Sequence, residues 1–214
     1  MSMTLTSMPT LATILWPSSS APSNVAPKDL ASTMIRAFVL AVAGSILMMI
    51  SAKIQIPFWP VPMTMQTFVV LTLGMAYGWR LGLATMLLYL VEGVAGLPVF
   101  AGTPEKGIGL AYMMGPTGGY LVGFVLAAML CGWLAERGWD RSVGRVAIAM
   151  ILGHALILMC GFVWLEKLMG FDKAVIYGLT PFWAATVFKT LLAMITLPFV
   201  WKAIGKSAQE RSSA

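Results

Sequence analysis

Apolar residues in this chain come in long runs, broken by short groups of charge, proline or glycine. The runs lie at 34–50, 64–77, 81–95, 118–135, 143–165 and 174–201. A membrane-crossing helix needs about 20 largely apolar residues. The pattern therefore predicts an all-α integral membrane protein, a bundle of six transmembrane helices. Runs two and three are short, and only Gly78, Trp79 and Arg80 stand at their joint. They form either two full spans or one re-entrant hairpin. The sixth run is broken near Pro181.

Residues 1–27 are rich in Ser, Thr, Pro and Met and carry no charge before Lys28. A secretory signal needs a positive start and a longer apolar core. The segment reads as a disordered leader. Residues 28–206 then form one six-helix membrane domain, and 207–214 a short cytoplasmic tail.

Composition supports the membrane reading. The chain is 59% hydrophobic and 10% charged, with a mean hydropathy of +0.85. Soluble domains carry about 25% charged residues. The formal charge of +6 does not point to nucleic acid, because the basic residues flank apolar runs and form no basic-aromatic patch. With the N-terminus inside, nine basic residues fall on the cytoplasmic side: Lys28, Arg36, Arg80, Arg137, Arg141, Arg145, Lys202, Lys206 and Arg211. The outer loops hold four, namely Lys53, Lys106, Lys167 and Lys173. Lys/Arg excess marks the cytoplasmic side, so both termini are expected there, in a multi-pass protein of the plasma membrane (the inner membrane of a Gram-negative cell).

That orientation puts two Pro- and Gly-rich connections outside. They are residues 54–62, IQIPFWPVP, and 96–119, GLPVFAGTPEKGIGLAYMMGPTGG. The second is too apolar and aromatic for a disordered loop. The two read as a lid over a cavity, where irregular backbone near a membrane is tolerated.

Polar residues inside spans usually face a cavity or a partner. Gln66, Glu92, Tyr120 and Lys189 lie on four different runs at a similar depth near the outer side. Lysine there suits a carboxylate, and the amide of Gln66 both donates and accepts. Tyr120, Phe58, Trp59 and Phe100 can wall an apolar ligand. The plainer readings stand beside these. Lys189 and Glu92 can neutralise each other, Gln66 can brace helices, and Tyr120 can be an interface anchor. His154, in mid-span, reads as a hydrogen-bonded core residue rather than a proton relay, and Cys131 and Cys160 as packing residues. Ala37, Ala41 and Ser45 share one helix face at four-residue spacing. That stripe serves either a partner protein or packing within the bundle. No nucleophile–histidine–acid set, metal cluster, cofactor motif or Walker-type loop is present, which argues against an enzyme.

Three blocks carry a resemblance: VPMTMQTFVVLTLG at 61–74, LLYLVEGVAGLPVFAG at 87–102 and GPTGGYLVGFVLAAMLCGWL at 115–134. In this order they resemble the BioY family of biotin transporters. The resemblance implies a substrate-capture (S) component of an energy-coupling factor (ECF) transporter. Such a protein binds biotin near the outer face and works with a transmembrane coupling protein and two ATP-binding-cassette ATPases. It also implies that the stripe Ala37, Ala41 and Ser45 docks the coupling protein. The family's last helix often carries Gly-Asp-x-x-Lys. Lys189 matches the Lys, but Thr186 stands at the Asp and Ala185 at the Gly. The resemblance thus implies a site of Gln66, Glu92, Phe100, Tyr120, Thr186, Lys189 and Phe58, with biotin, the ECF module and lipid as partners. An S component for another vitamin, or a carrier that works alone, remains an alternative.

Overall fold

The computed structural model describes residues 8–15, 27–56 and 59–212. The chain runs α1 (Leu11–Leu15), α2 (Pro27–Lys53), β1 (Gln55–Ile56), β2 (Met63–Thr64), α3 (Gln66–Val94), α4 (Gly109–Met113), α5 (Gly118–Ala135), a 3-10 turn (Trp139–Arg141), α6 (Val143–Met169), α7 (Phe171–Gly178) and α8 (Phe182–Ser212). Among the described residues, five helical stretches are long and apolar enough to cross a membrane: Ala31–Lys53, Gln66–Val94, Gly118–Ala135, Val143–Met169 and Phe171–Ala203.

The stretch α3 is not straight. At Gly78 the backbone takes φ 80° and ψ 172°, a conformation that glycine adopts without steric cost. The chain turns back there. A Cβ on Gly82 would lie 3.4 Å from Gly74 Cα, although eight helical residues would separate the two by about 12 Å. Gln66 Nε2 donates to Tyr89 Oη at 2.7 Å across the same fold. Runs two and three are therefore the antiparallel arms of one helical hairpin, 66–77 and 79–94.

Small residues bring the neighbours close. α5 packs mainly on α3 and on α6. A Cβ on Gly74 would stand 2.6 Å from the Ala128 carbonyl oxygen of α5. One on Gly132 would collide with the Gly78 and Trp79 backbone. α2 lies on the other side of the hairpin, with Gly44 against Thr85 and Tyr77. The first arm is the centre of the core, with Val70, Leu71 and Met75 wholly buried. The outward faces are apolar: Phe38 is 65% exposed, Val91 64% and Ile195 70%. Water would penalise such a surface, and lipid does not. This is a multi-pass membrane protein.

The bundle has two unlike ends. The Gly78 end holds arginines on tryptophans: Arg137 on Trp133, Arg141 on Trp201 and Arg80 on Trp79. Asp140 is fully buried there, and its Oδ2 accepts the Trp201 Nε1–H at 2.7 Å. Burial raises the Asp140 carboxyl above the usual range, against the Trp201 bond. The expectation of a disordered leader fails for 8–15. Met8 N–H donates to the Glu136 carbonyl at 2.7 Å, Arg36 donates to Ala12 O at 2.7 Å and Arg141 to Pro9 O at 3.1 Å. Leu11 and Ala12 are buried, so apolar contact and three hydrogen bonds hold a segment whose composition suggested none. Residues 1–7 and 16–26 of that leader lie outside the described ones.

Candidate functional site

The other end holds a cavity beneath the two Pro- and Gly-rich connections. Three helices each contribute a short polar-apolar face. α5 offers Tyr120, Leu121 and Phe124, α6 offers His154, Ile157 and Leu158, and α8 offers Phe182, Thr186 and Lys189. The α6 and α8 sets follow i, i+3, i+4 and i+7 spacing, which places their members on one helical face, and on α5 Tyr120 and Phe124 are likewise four apart. Gln66 and Thr67 begin the hairpin's first arm, and Val61, Phe100, Tyr112 and Thr117 come from the connections. The free interior is about 40 Å³, room for only a few waters. The site is nearly closed, and a vitamin-sized occupant must move its walls.

Lys189 is 6% exposed. Its Nζ donates to Thr64 O at 2.7 Å and to Thr67 Oγ1 at 2.8 Å. An ammonium has three donors, and among the described residues two of them are taken. A second, more open hollow of about 460 Å³ lies on the far side of Lys189, between the β1–β2 hairpin and α8, walled by Ile54, Met65, Ala184 and Phe188.

Hydrogen bonds pin the long connection over the cavity. Tyr89 Oη donates to Val99 O at 2.9 Å while accepting from Gln66. Gln66 Oε1 accepts from Thr64 Oγ1 at 3.2 Å. Lys53 donates to Phe100 O and to Thr103. Tyr112 donates to Ala101 O at 2.8 Å, and Trp164 Nε1 to Gly115 O at 2.8 Å. Burial raises the Tyr112 hydroxyl above its usual pKa, so it stays a neutral donor. Phe100 is clamped between Tyr89, edge-on at 5.4 Å, and Tyr112, stacked at 4.9 Å. Tyr120 donates to Gly178 O at 2.9 Å and leans on Phe182 at 5.8 Å.

Gln66, Phe100, Tyr120, Thr186 and Lys189 thus meet around one cavity. Glu92 does not. Its Oε1 accepts the Ser45 hydroxyl at 2.9 Å, which ties α3 to α2 away from the cavity. The idea that Glu92 neutralises Lys189 also fails, since the two have different partners. Ser45 and Ala41 are 1% and 7% exposed. They face the hairpin, not an outside partner, and only Ala37 of that stripe is exposed. Phe58 lies outside the described residues. Trp59 faces outward at 68% exposure, edge-on to Tyr177 of α7 at 5.5 Å. Thr67, Tyr112, Phe124 and Phe182 escaped the sequence reading, and His154 was read as a core residue rather than a lining one. The helical spacing of His154 with Ile157 and of Phe182 with Lys189 was the available signal.

The family model described as "BioY family" matches residues 21–206. The chain belongs to the BioY family. Among its relatives, a probable biotin transporter BioY of Pyrococcus horikoshii is 36% identical over 146 residues, covering 68% of this chain and 84% of its own. The biotin transporter BioY of Thermotoga maritima is 33% identical over 168 residues, covering 76% and 95%. A crystal structure of the S-component for biotin from an ECF-type ABC transporter aligns with a TM-score of 0.68 at 22% identity. It covers 80% of this chain and 93% of that one, a likeness of fold. In this BioY chain the matched region contains every residue that lines the cavity.

Proposed function

We propose that this protein captures biotin from outside the cell and delivers it inward as the S component of an ECF transporter. The observation that carries the reading is the cavity itself, in a chain of this family. Gln66, Thr186 and Lys189 line a chamber of mixed apolar and polar walls at the end away from the arginines. Biotin pairs an apolar body with a carboxylate at one end and a ureido ring at the other. The third N–H of Lys189 suits the carboxylate. The Thr186 hydroxyl, which both donates and accepts, suits either end. Tyr120, Phe124 and Phe182 supply apolar walls, and Phe100 caps them from the connection.

In this reading the two hairpin arms count as separate spans, which makes six. The arginine-rich end and both termini are cytoplasmic, following the Lys/Arg rule, in the plasma membrane. Biotin reaches the site when the 54–65 and 96–117 connections part, and no bond of the ligand is made or broken. Release inward uses a coupling protein and its ATPases, and Ala37 is the part of the small-residue stripe available to them.

Calorimetry on the purified protein in detergent tests the reading, with biotin, thiamine and riboflavin in parallel and a Lys189→Ala variant. Biotin alone binds, and the variant binds it more weakly. Binding of a different vitamin transfers the site to that ligand, and a folded sample that binds none refutes the capture role. Uptake into vesicles that hold only this protein would show a carrier that needs no ATPases.

A further inference from the structure

We propose that His154 reads an N–H group of the ligand through Nε2, and so orients it in the cavity. The imidazole is 3% exposed and lines the chamber together with Lys189 and Gln66. Its Nδ1 lies 2.8 Å from the Met150 carbonyl oxygen. A carbonyl only accepts, so Nδ1 carries the hydrogen. In the neutral ring Nε2 is then a bare acceptor. Among the described residues this buried nitrogen has no partner. Buried polar atoms are nearly always satisfied, and leaving one bare is costly.

A purely structural role does not explain the ring. Met150 is four residues earlier in the same helix, α6, so the Nδ1 bond orients the imidazole without joining two helices. Gln66, Tyr120 and Lys189 are already engaged. Gln66 bonds to Tyr89 and Thr64, and Tyr120 donates to Gly178. Lys189 can only donate. His154 Nε2 is therefore an unspent acceptor at this site, beside the Thr186 hydroxyl, and it calls for an N–H or O–H from the occupant. A carboxylate does not fit it, but a ureido N–H does. The assignment rests on the biotin reading above. It directs the ureido ring toward α6 and leaves the carboxylate to Lys189 on α8.

The chain has one histidine, so ¹⁵N-histidine labelling reports this ring alone. In the ligand-free protein in detergent, nitrogen NMR shows a protonated Nδ1 and a bare Nε2. Biotin moves the Nε2 resonance upfield, as an accepted hydrogen bond does, and thiamine leaves it in place. By calorimetry, His154→Phe weakens biotin binding about tenfold, the loss of about one hydrogen bond to a buried group. His154→Gln, which keeps an acceptor, restores most of it. A protonated Nε2 before ligand is added overturns the proposal. So does an Nε2 resonance unmoved at saturating biotin, or a His154→Phe variant that binds like the wild type. If His154→Phe does not fold, the NMR result on the unaltered protein decides. Failure of the unaltered, folded protein to bind biotin refutes the capture role and this proposal together. Binding without any effect at His154 refutes this proposal alone.

Discussion

The bond chain Gln66–Tyr89–Val99 invites a substitution that removes one atom. Tyr89→Phe keeps the ring edge-on to Phe100 and deletes only the hydroxyl. That hydroxyl accepts from Gln66 Nε2 at 2.7 Å and donates to Val99 O at 2.9 Å, in a side chain 1% exposed. Each buried bond is worth about 1 kcal/mol net, and opening the connection breaks only the one to Val99. The loss falls on the connection over the cavity, because Val99 belongs to it and Gln66 does not move with it. The connection should then open about fivefold more often, since 1.4 kcal/mol is a factor of ten. Hydrogen–deuterium exchange followed by mass spectrometry reads this directly in peptides covering 97–107, where Lys106 N–H bonds to Gly102 O. Peptides from α6 serve as the internal control, because exchange by local opening is confined to the unit that opens. Unchanged exchange at 97–107, or an equal rise in α6, refutes the idea that this hydroxyl fastens the connection.

Three further outcomes follow from the packing and the charges. Glu92→Gln still accepts from Ser45 and sits away from the cavity, so biotin affinity by calorimetry is unchanged; a marked loss would return Glu92 to the site. Gly132→Val drives a side chain into the Gly78–Trp79 backbone and abolishes a monodisperse peak in size-exclusion chromatography, whereas Gly144→Ala, with nothing within 4 Å of the added atom, elutes normally. Asp140 gives a pH test. Burial raises its folded pKa above the ordinary 3.8, so the folded state holds the proton more tightly than the unfolded one. Stability therefore falls as pH rises through the folded value. Asp140→Asn keeps an acceptor for Trp201 and removes that fall. Melting curves in detergent should diverge in favour of the variant from acid to neutral pH, and parallel curves would refute the assignment.

Much of the architecture could be read from the order of apolar runs, because lipid imposes a length on each helix and tolerates few charges. The fourth run, 118–135, coincides with α5, and the break near Pro181 falls between α7 and α8. Gly78-Trp79-Arg80 marked the hairpin joint without deciding between two spans and one fold. The fold-back itself rests on contacts that sequence does not display, Gly74 on Gly82 and Gly132 on Gly78. The site was half legible. Gln66, Tyr120 and Lys189 stood out because polar groups in apolar runs are conspicuous. Glu92 stood out for the same reason and misled, since its partner Ser45 is 47 residues away. His154 looked like a core residue because its free nitrogen becomes evident only once the ring is oriented. The small-residue stripe was ambiguous for a physical reason: the same spacing serves any close helix, and here the hairpin takes Ala41 and Ser45.

The fold-back at Gly78 also sets where the chamber can be. An arm of twelve residues, 66–77, is about 18 Å long, whereas the hydrocarbon layer is about 30 Å thick. With Gly78 near one face of the bilayer, the central helix ends about 12 Å short of the other. No turn of helix fills that gap. Neighbouring spans continue past it, and the connections roof it over. The end of the short arm, at Gln66 and Thr67, lines the chamber, so arm length sets where the chamber begins. Adding one helical turn ahead of Gln66 would fill the chamber from below without altering any residue that lines its walls.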